Sequence, residues 1–170
     1  MKKVRVYIPT TEGPVAVERI TREPAAQSAI CVGRTTRILS ISSAYDDFVR
    51  APSGVIEREF GPFQAGAFRV DVSAPIGDGD SWQLGIFIAH VLASSSRLAG
   101  PNEDFGTALW LTGAVDSDLN VTTVAHIPEK VHLSSDLVTD LTERGVSIKA
   151  FLPRANLKAG HNSNSALELR

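Results

Sequence analysis

Val4, Val6 and Ile8 alternate with Arg5 and Tyr7, a period-2 pattern that predicts a strand over Lys3 to Pro9 with one buried face. Short β-like runs recur at Val15 to Ile20, Ala29 to Val32, Ile38 to Ser42, Val55 to Phe60 and Ala67 to Val72, separated by Gly-, Pro- or Asp-containing turns. A short helix fits Ser43 to Val49. From Ser81 the period changes: Leu84, Phe87, Ile88, Val91, Leu92 and Leu98 recur at three- and four-residue steps, the stripe of a helix packed on a sheet. Two strands are expected next, Ala108 to Val115 and Leu119 to Val124, with a hairpin turn at Asp116-Ser117-Asp118.

After Pro128 the pattern is helical again, with Val131, Leu137, Val138 and Leu141 on the buried side. Ser134 or Ser135 offers a second cap midway, so the stretch reads as one helix or two, and Gly145 stands where a left-handed C-terminal cap belongs. Val146, Ile148 and Phe151 alternate as a final strand that stops at Pro153, and Leu157 to Arg170 is expected to be a mobile tail. The resulting expectation is an α+β domain over residues 1–156, helices covering one mixed sheet, followed by a tail over 157–170.

Composition narrows the function classes. A chain of 170 residues with 43% apolar content can bury one ordinary core. Its net charge of −2, with neither sign in a long block, gives no electrostatic reason to expect nucleic acid or a membrane as partner. The lone Cys31, between Ile30 and Val32, excludes an intrachain disulfide and a Cys-rich metal site and reads as core filler. Met1-Lys2-Lys3 leads into no long apolar stretch, and the run Leu84 to Ala93 falls short of the roughly 20 residues that span a bilayer. A cytoplasmic protein is expected.

Candidate chemistry begins at Gly77-Asp78-Gly79-Asp80-Ser81, a turn that opens the apolar helix. Unpaired N–H groups at such a terminus stabilise an oxyanion or a phosphate, and a hydroxyl there would sit beside its own oxyanion hole; capping and turn chemistry is the ordinary use of the same residues. A serine nucleophile needs a base. His90 lies about 13 Å along the helix from Ser81, His161 is in the expected tail, and His126 and His132 flank the second helix start at a spacing that fits no common zinc pattern. Among the lysines, Lys130 stands in apolar surroundings where burial would depress its pKa.

Three motifs then combine in order: Asp78-Gly79-Asp80-Ser81 before an apolar helix, Leu111-Thr112-Gly113 in a strand, and Pro128-Glu129-Lys130-Val131 entering another helix. The set resembles the proteolytic domain of Lon-type peptidases from about Phe68 to Asn156, including the closing Phe151-Leu152-Pro153-Arg154-Ala155-Asn156. The resemblance implies a Ser-Lys dyad: Ser81 as nucleophile, Lys130 as general base, Thr112 as the hydroxyl that orients the amine, and Asp78, Gly79 and Asp80 as the serine loop, with Asp78 in a part that opens or blocks the site. It departs from the family at Trp82-Gln83, where small residues are common, at Ala114, where an acidic residue is common, and at Ala125-His126, where the family has a glycine pair.

The implied function is hydrolysis of peptide bonds in unfolded or specific protein substrates, without a metal or other cofactor. No G-x-x-x-x-G-K-[ST] loop occurs, so an ATP-driven unfoldase would be separately encoded; assembly into a homo-oligomeric ring is implied by the resemblance. On this basis Lys130 is expected to be buried, with Glu129 pointing away. The alternative is a catalytically silent Lon-like domain that binds peptide or scaffolds a complex, with Trp82 in the substrate cleft. A third reading makes the Gly77 to Ser81 loop a phosphate cradle.

Overall fold

The computed structural model describes residues 2–50, 52–61 and 66–160. Its centre is a six-stranded mixed sheet built outward from the two strands with the clearest alternation. β1 (Val4–Thr10) and β2 (Gly13–Glu23) form an antiparallel hairpin, turned at Gly13, whose φ of +124° is open to glycine alone among ordinary residues. Across β1, β5 (Thr107–Leu111) pairs in parallel, followed by β8 (Ser147–Phe151) at that edge. Across β2, β4 (Ala67–Val72) pairs antiparallel and β3 (Ala29–Val32) lies parallel to β4 at the other edge.

Period-2 patterning decides which face is buried. Val4, Val6 and Ile8 share one face with Val15, Val17, Val70 and Val72, and this face carries the main core beneath α3 (Gln83–Ser94), α1 (Ser42–Val49) and α2 (Val55–Phe60). The opposite face carries Tyr7 beside Trp110, whose indole N–H donates to Ser134 Oγ at the junction of α4 (Ile127–Leu133) and α5 (Ser135–Glu143). Helices therefore lie on both faces. Among the described residues no helix is long and apolar enough to cross a membrane.

The expected second helical stretch is two helices, and Gly145 ends the second one with a φ of +69°. Its N–H donates to the Thr142 carbonyl and that of Val146 to the Leu141 carbonyl, the paired bonds of a Schellman cap. Two expected strands are absent. Val55 to Phe60 is helix α2, because the polar run Glu57-Arg58-Glu59 breaks a two-residue alternation while Val55 and Ile56 dip together into the core. Ile38 to Ser42 reduces to one bridge between Ile38 and Cys31, and Ser42 already belongs to α1.

The expected strand over Ala108 to Val115 breaks at Thr112-Gly113 into β5 and β6 (Ala114–Val115), and that over Leu119 to Val124 shortens to β7 (Val121–Thr122), which pairs with β6. The expected tail begins too early: Leu157 belongs to α6 (Arg154–Gly160), whose Leu157 and preceding residues continue the chain in regular structure, while residues 161–170 lie outside the described residues.

Two core features yield predictions. Gly85 lets α3 close on β1: a Cβ there would lie 2.5 Å from Ile8 Cγ1, and Ile8 is fully buried. Gly85→Ala is expected to lose about 1–2 kcal/mol in urea unfolding despite the better helix propensity of alanine, because the overpacked core must shift. His90 on the same helix is buried, shares a 2.9 Å hydrogen bond with the Tyr45 hydroxyl, and its pKa is pushed down to about 4 by desolvation.

The unfolded chain therefore takes up the His90 proton first as pH falls, near the ordinary histidine value of about 6.5. This contribution to stability is full above that pH and is lost on the way down to pH 4. Between pH 7.5 and 4.5 the wild type is expected to lose about 2–3 kcal/mol through this residue. His90→Gln, measured by urea unfolding at both pH values, is expected to show an acid loss smaller by that amount.

Candidate active site

The strand-to-helix connection after β4 supplies the serine. Gly77, Asp78, Gly79 and Asp80 are exposed, and Gly79 adopts a φ of +100°, which turns the chain sharply before the helix. α3 begins at Gln83 with Trp82 at its N-cap, so Ser81 stands one residue before the cap. The Ser81 carbonyl accepts from the Gly113 N–H at 3.0 Å, and the Leu84 N–H donates to the Gly113 carbonyl at 3.0 Å. A Cβ at Gly113 would collide with Val121 Cγ1, so glycine permits the close approach of β7 to the end of β5.

Trp82 is not in a cleft. It is 1% exposed, packed edge-on against Phe48 at 5.5 Å and Tyr45 at 6.4 Å, and its indole N–H has no acceptor among the described residues. The expectation of a substrate-cleft tryptophan is corrected here: the first turn of α3 points Trp82 into the core, and burying its large apolar ring outweighs the orphaned N–H. This anchor holds the base of the turn from which Ser81 projects. Ser81 is half-buried, and its hydroxyl has no hydrogen-bond partner among the described residues, nor do the N–H groups of Asp80 and Ser81.

Thr112 follows β5 directly and is fully buried; its N–H donates to the Phe151 carbonyl at 3.2 Å. Its Oγ1 accepts from Lys130 Nζ at 3.4 Å. Lys130 is 4% exposed, and no carboxylate lies within ion-pairing distance of it among the described residues. Desolvation pushes its pKa below the ordinary lysine value. Glu129 points away as expected: it is exposed, with its carboxylate 3.5 Å from His126 Nδ1.

The entry to α4 aims the lysine inward. His126 holds a left-handed backbone, φ 62° and ψ 31°, Pro128 presets the first turn, and the Lys130 N–H donates to the His126 carbonyl at 3.0 Å. The Lys130 carbonyl accepts from Ser134 Oγ at 2.7 Å, and that same oxygen accepts from Trp110 Nε1 at 2.9 Å. This buried relay seats the lysine turn on β5. Sequence reasoning named Ser134 only as a cap and missed the relay, although the four-residue step from Lys130 to Ser134 places both on one helix face.

Ser81 and Lys130 line one cleft of about 530 Å³, together with Asp78, Gly79, Asp80, His126, Thr10, Thr11 and the segment Thr122 to Ala125. Thr112 stands behind Lys130 rather than at the cleft surface. His126 is the only described histidine on the lining, and it is exposed; His90 is in the core. Two residues that sequence reasoning named only within motifs, with no role of their own, hold the cleft wall. Gln83 Oε1 accepts the Val115 N–H at 2.7 Å, and Asn156 bonds both main-chain groups of Val124, accepting at 3.1 Å and donating at 2.8 Å.

The arrangement offers a hydroxyl and neighbouring N–H donors that are unengaged among the described residues, and a buried amine biased toward its neutral form. Those are the parts of nucleophilic acyl transfer. Among the described residues no three His, Cys, Asp or Glu side chains group together as metal ligands. Comparison with protein-family profiles finds no match, and comparison with curated proteins finds none of significant similarity.

Proposed function

We propose that this chain is a serine peptidase of Lon-like type that hydrolyses peptide bonds with a Ser81–Lys130 dyad. The observation that carries this reading is Lys130: a buried amine with no carboxylate to neutralise it among the described residues, touching Thr112 and opening on the cleft that Ser81 lines. A buried, unpaired lysine is costly to keep charged, and a neutral amine is a competent base.

In the proposed cycle Ser81 Oγ attacks the peptide carbonyl carbon while its proton passes to Lys130 Nζ. The N–H groups of Asp80 and Ser81 receive the oxyanion. Collapse breaks the C–N bond, and Lys130 returns the proton to the leaving amine. Water then attacks the acyl-Ser81 ester with Lys130 again as base, releasing the acid and restoring both side chains. Thr112 holds the amine toward the cleft between these steps.

The Lon-like assignment is supported by the order of the motifs on one mixed sheet and by His126, which takes the left-handed backbone where the family places glycine. A silent peptide-binding domain would be favoured by a salt-bridged Lys130 or a tryptophan filling the cleft; neither arrangement is present among the described residues. We place substrates among unfolded or specific polypeptides in the cytoplasm, with an ATPase and a homo-oligomeric ring as partners. The test is release of labelled peptides from fluorescein-labelled β-casein, suppressed by a peptide boronate. Absence of cleavage at any pH between 7 and 9.5 would remove the peptidase reading.

A further inference from the structure

We infer that Asn156 is a positioning residue that sets the cleft wall for an extended peptide, an assignment that rests on the peptidase reading for its substrate class. Ala114 pairs with Thr122 and Val115 with Val121, and the Asp116 N–H donates to the Asn120 carbonyl. Main-chain groups that face the partner strand recur every second residue, so after Asn120 and Thr122 the next on that side belong to Val124.

No strand is there to meet them: the register sets Thr112 opposite Val124, but the Thr112 N–H donates to the Phe151 carbonyl, and the Gly113 N–H and carbonyl are engaged by Ser81 and Leu84. Asn156 fills the gap. Its carboxamide accepts the Val124 N–H at 3.1 Å and donates to the Val124 carbonyl at 2.8 Å. One planar amide reaches both groups only when they point to the same side, as in an extended residue. It thus acts as a one-residue surrogate strand from α6, 32 positions along the chain.

The consequence lies on the other side of the same segment. With Val124 held extended, the main-chain groups of Thr123 and Ala125 face away from Asn156, and they have no hydrogen-bond partner among the described residues. Thr123, Val124 and Ala125 all line the cleft that holds Ser81 and Lys130. Asn156 therefore keeps a short free strand edge in place for the main chain of a peptide in the cleft, without touching the peptide itself.

The test separates positioning from chemistry. In the wild-type background Asn156→Ala is expected to raise KM for β-casein about tenfold and change kcat by less than about threefold. Asn156→Asp, which keeps the acceptor and loses the donor, is expected to fall between. Binding of fluorescein-labelled β-casein to Ser81→Ala, read by anisotropy without turnover, is expected to weaken about tenfold on adding Asn156→Ala. Hydrogen exchange at the Val124 amide should accelerate in the variant, while core amides such as those of Val6 and Val17 keep their protection.

Equal casein binding with and without Asn156, no binding to either, or a fall in kcat at constant KM would overturn the inference, as would unchanged exchange at Val124. Weakened binding in a protein that never cleaves casein would instead retain the role of Asn156 and remove the peptidase reading.

Discussion

Ser81→Ala is expected to lower casein hydrolysis by at least about 10³-fold in kcat/KM while leaving urea stability within about 0.5 kcal/mol of wild type. The two halves of the prediction come from one feature. The Ser81 side chain is half-buried and makes no hydrogen bond among the described residues, so its removal breaks no packing or polar contact that the fold needs. The turn itself is held by main-chain bonds to Gly113 and by the Trp82 anchor, both of which the alanine keeps. Loss of the hydroxyl should therefore cost chemistry alone. A variant that is inactive but also strongly destabilised would point to a structural serine.

Lys130→Met is expected to reduce kcat by a similar factor and to leave the unfolding midpoint equal to or above that of wild type. Methionine fills much of the same buried volume without a charge to desolvate, and no ion-pair partner among the described residues is lost. Lys130→Arg, permanently charged, should be both inactive and less stable. The pH sign follows from the lowered pKa of Lys130. Wild-type kcat/KM rises with pH as the folded-state amine loses its proton. Stability moves the same way: between the lowered folded value and the ordinary lysine value of about 10.5 the unfolded chain binds the extra proton, so raising pH through that window stabilises the fold. Lys130→Met should abolish that rise.

Much of this site was legible because its parts are local. The Gly-Asp turn before an apolar stripe places Ser81 at a helix start, and the apolar surroundings of Lys130 forecast its burial. Strands with clean alternation, such as β1, and the cap at Gly145 were equally readable, since period and turn chemistry act over a few residues. What escaped depends on distant packing. Trp82 was assigned to the cleft from its position after Ser81, but only the fold reveals Phe48 and Tyr45 waiting beneath α3. Val55 to Phe60 has β-branched residues yet coils into a helix because tertiary burial of Val55 and Ile56 outweighs their propensity. Asn156 could be noted as part of a motif, whereas its bonds to Val124 require the chain to return across the sheet.

The proposed dyad requires Ser81 to be an activated nucleophile in a cleft open to peptides. It is tested most directly by the thermal shift that a peptide boronate produces in wild type and in Ser81→Ala, because the adduct needs a competent serine and no unfoldase. Binding to the folded state alone raises the midpoint in proportion to the logarithm of ligand concentration over Kd. A dose-dependent rise in wild type that disappears in Ser81→Ala is the predicted result. Equal shifts in the two proteins, or none in wild type at saturating boronate, would contradict it.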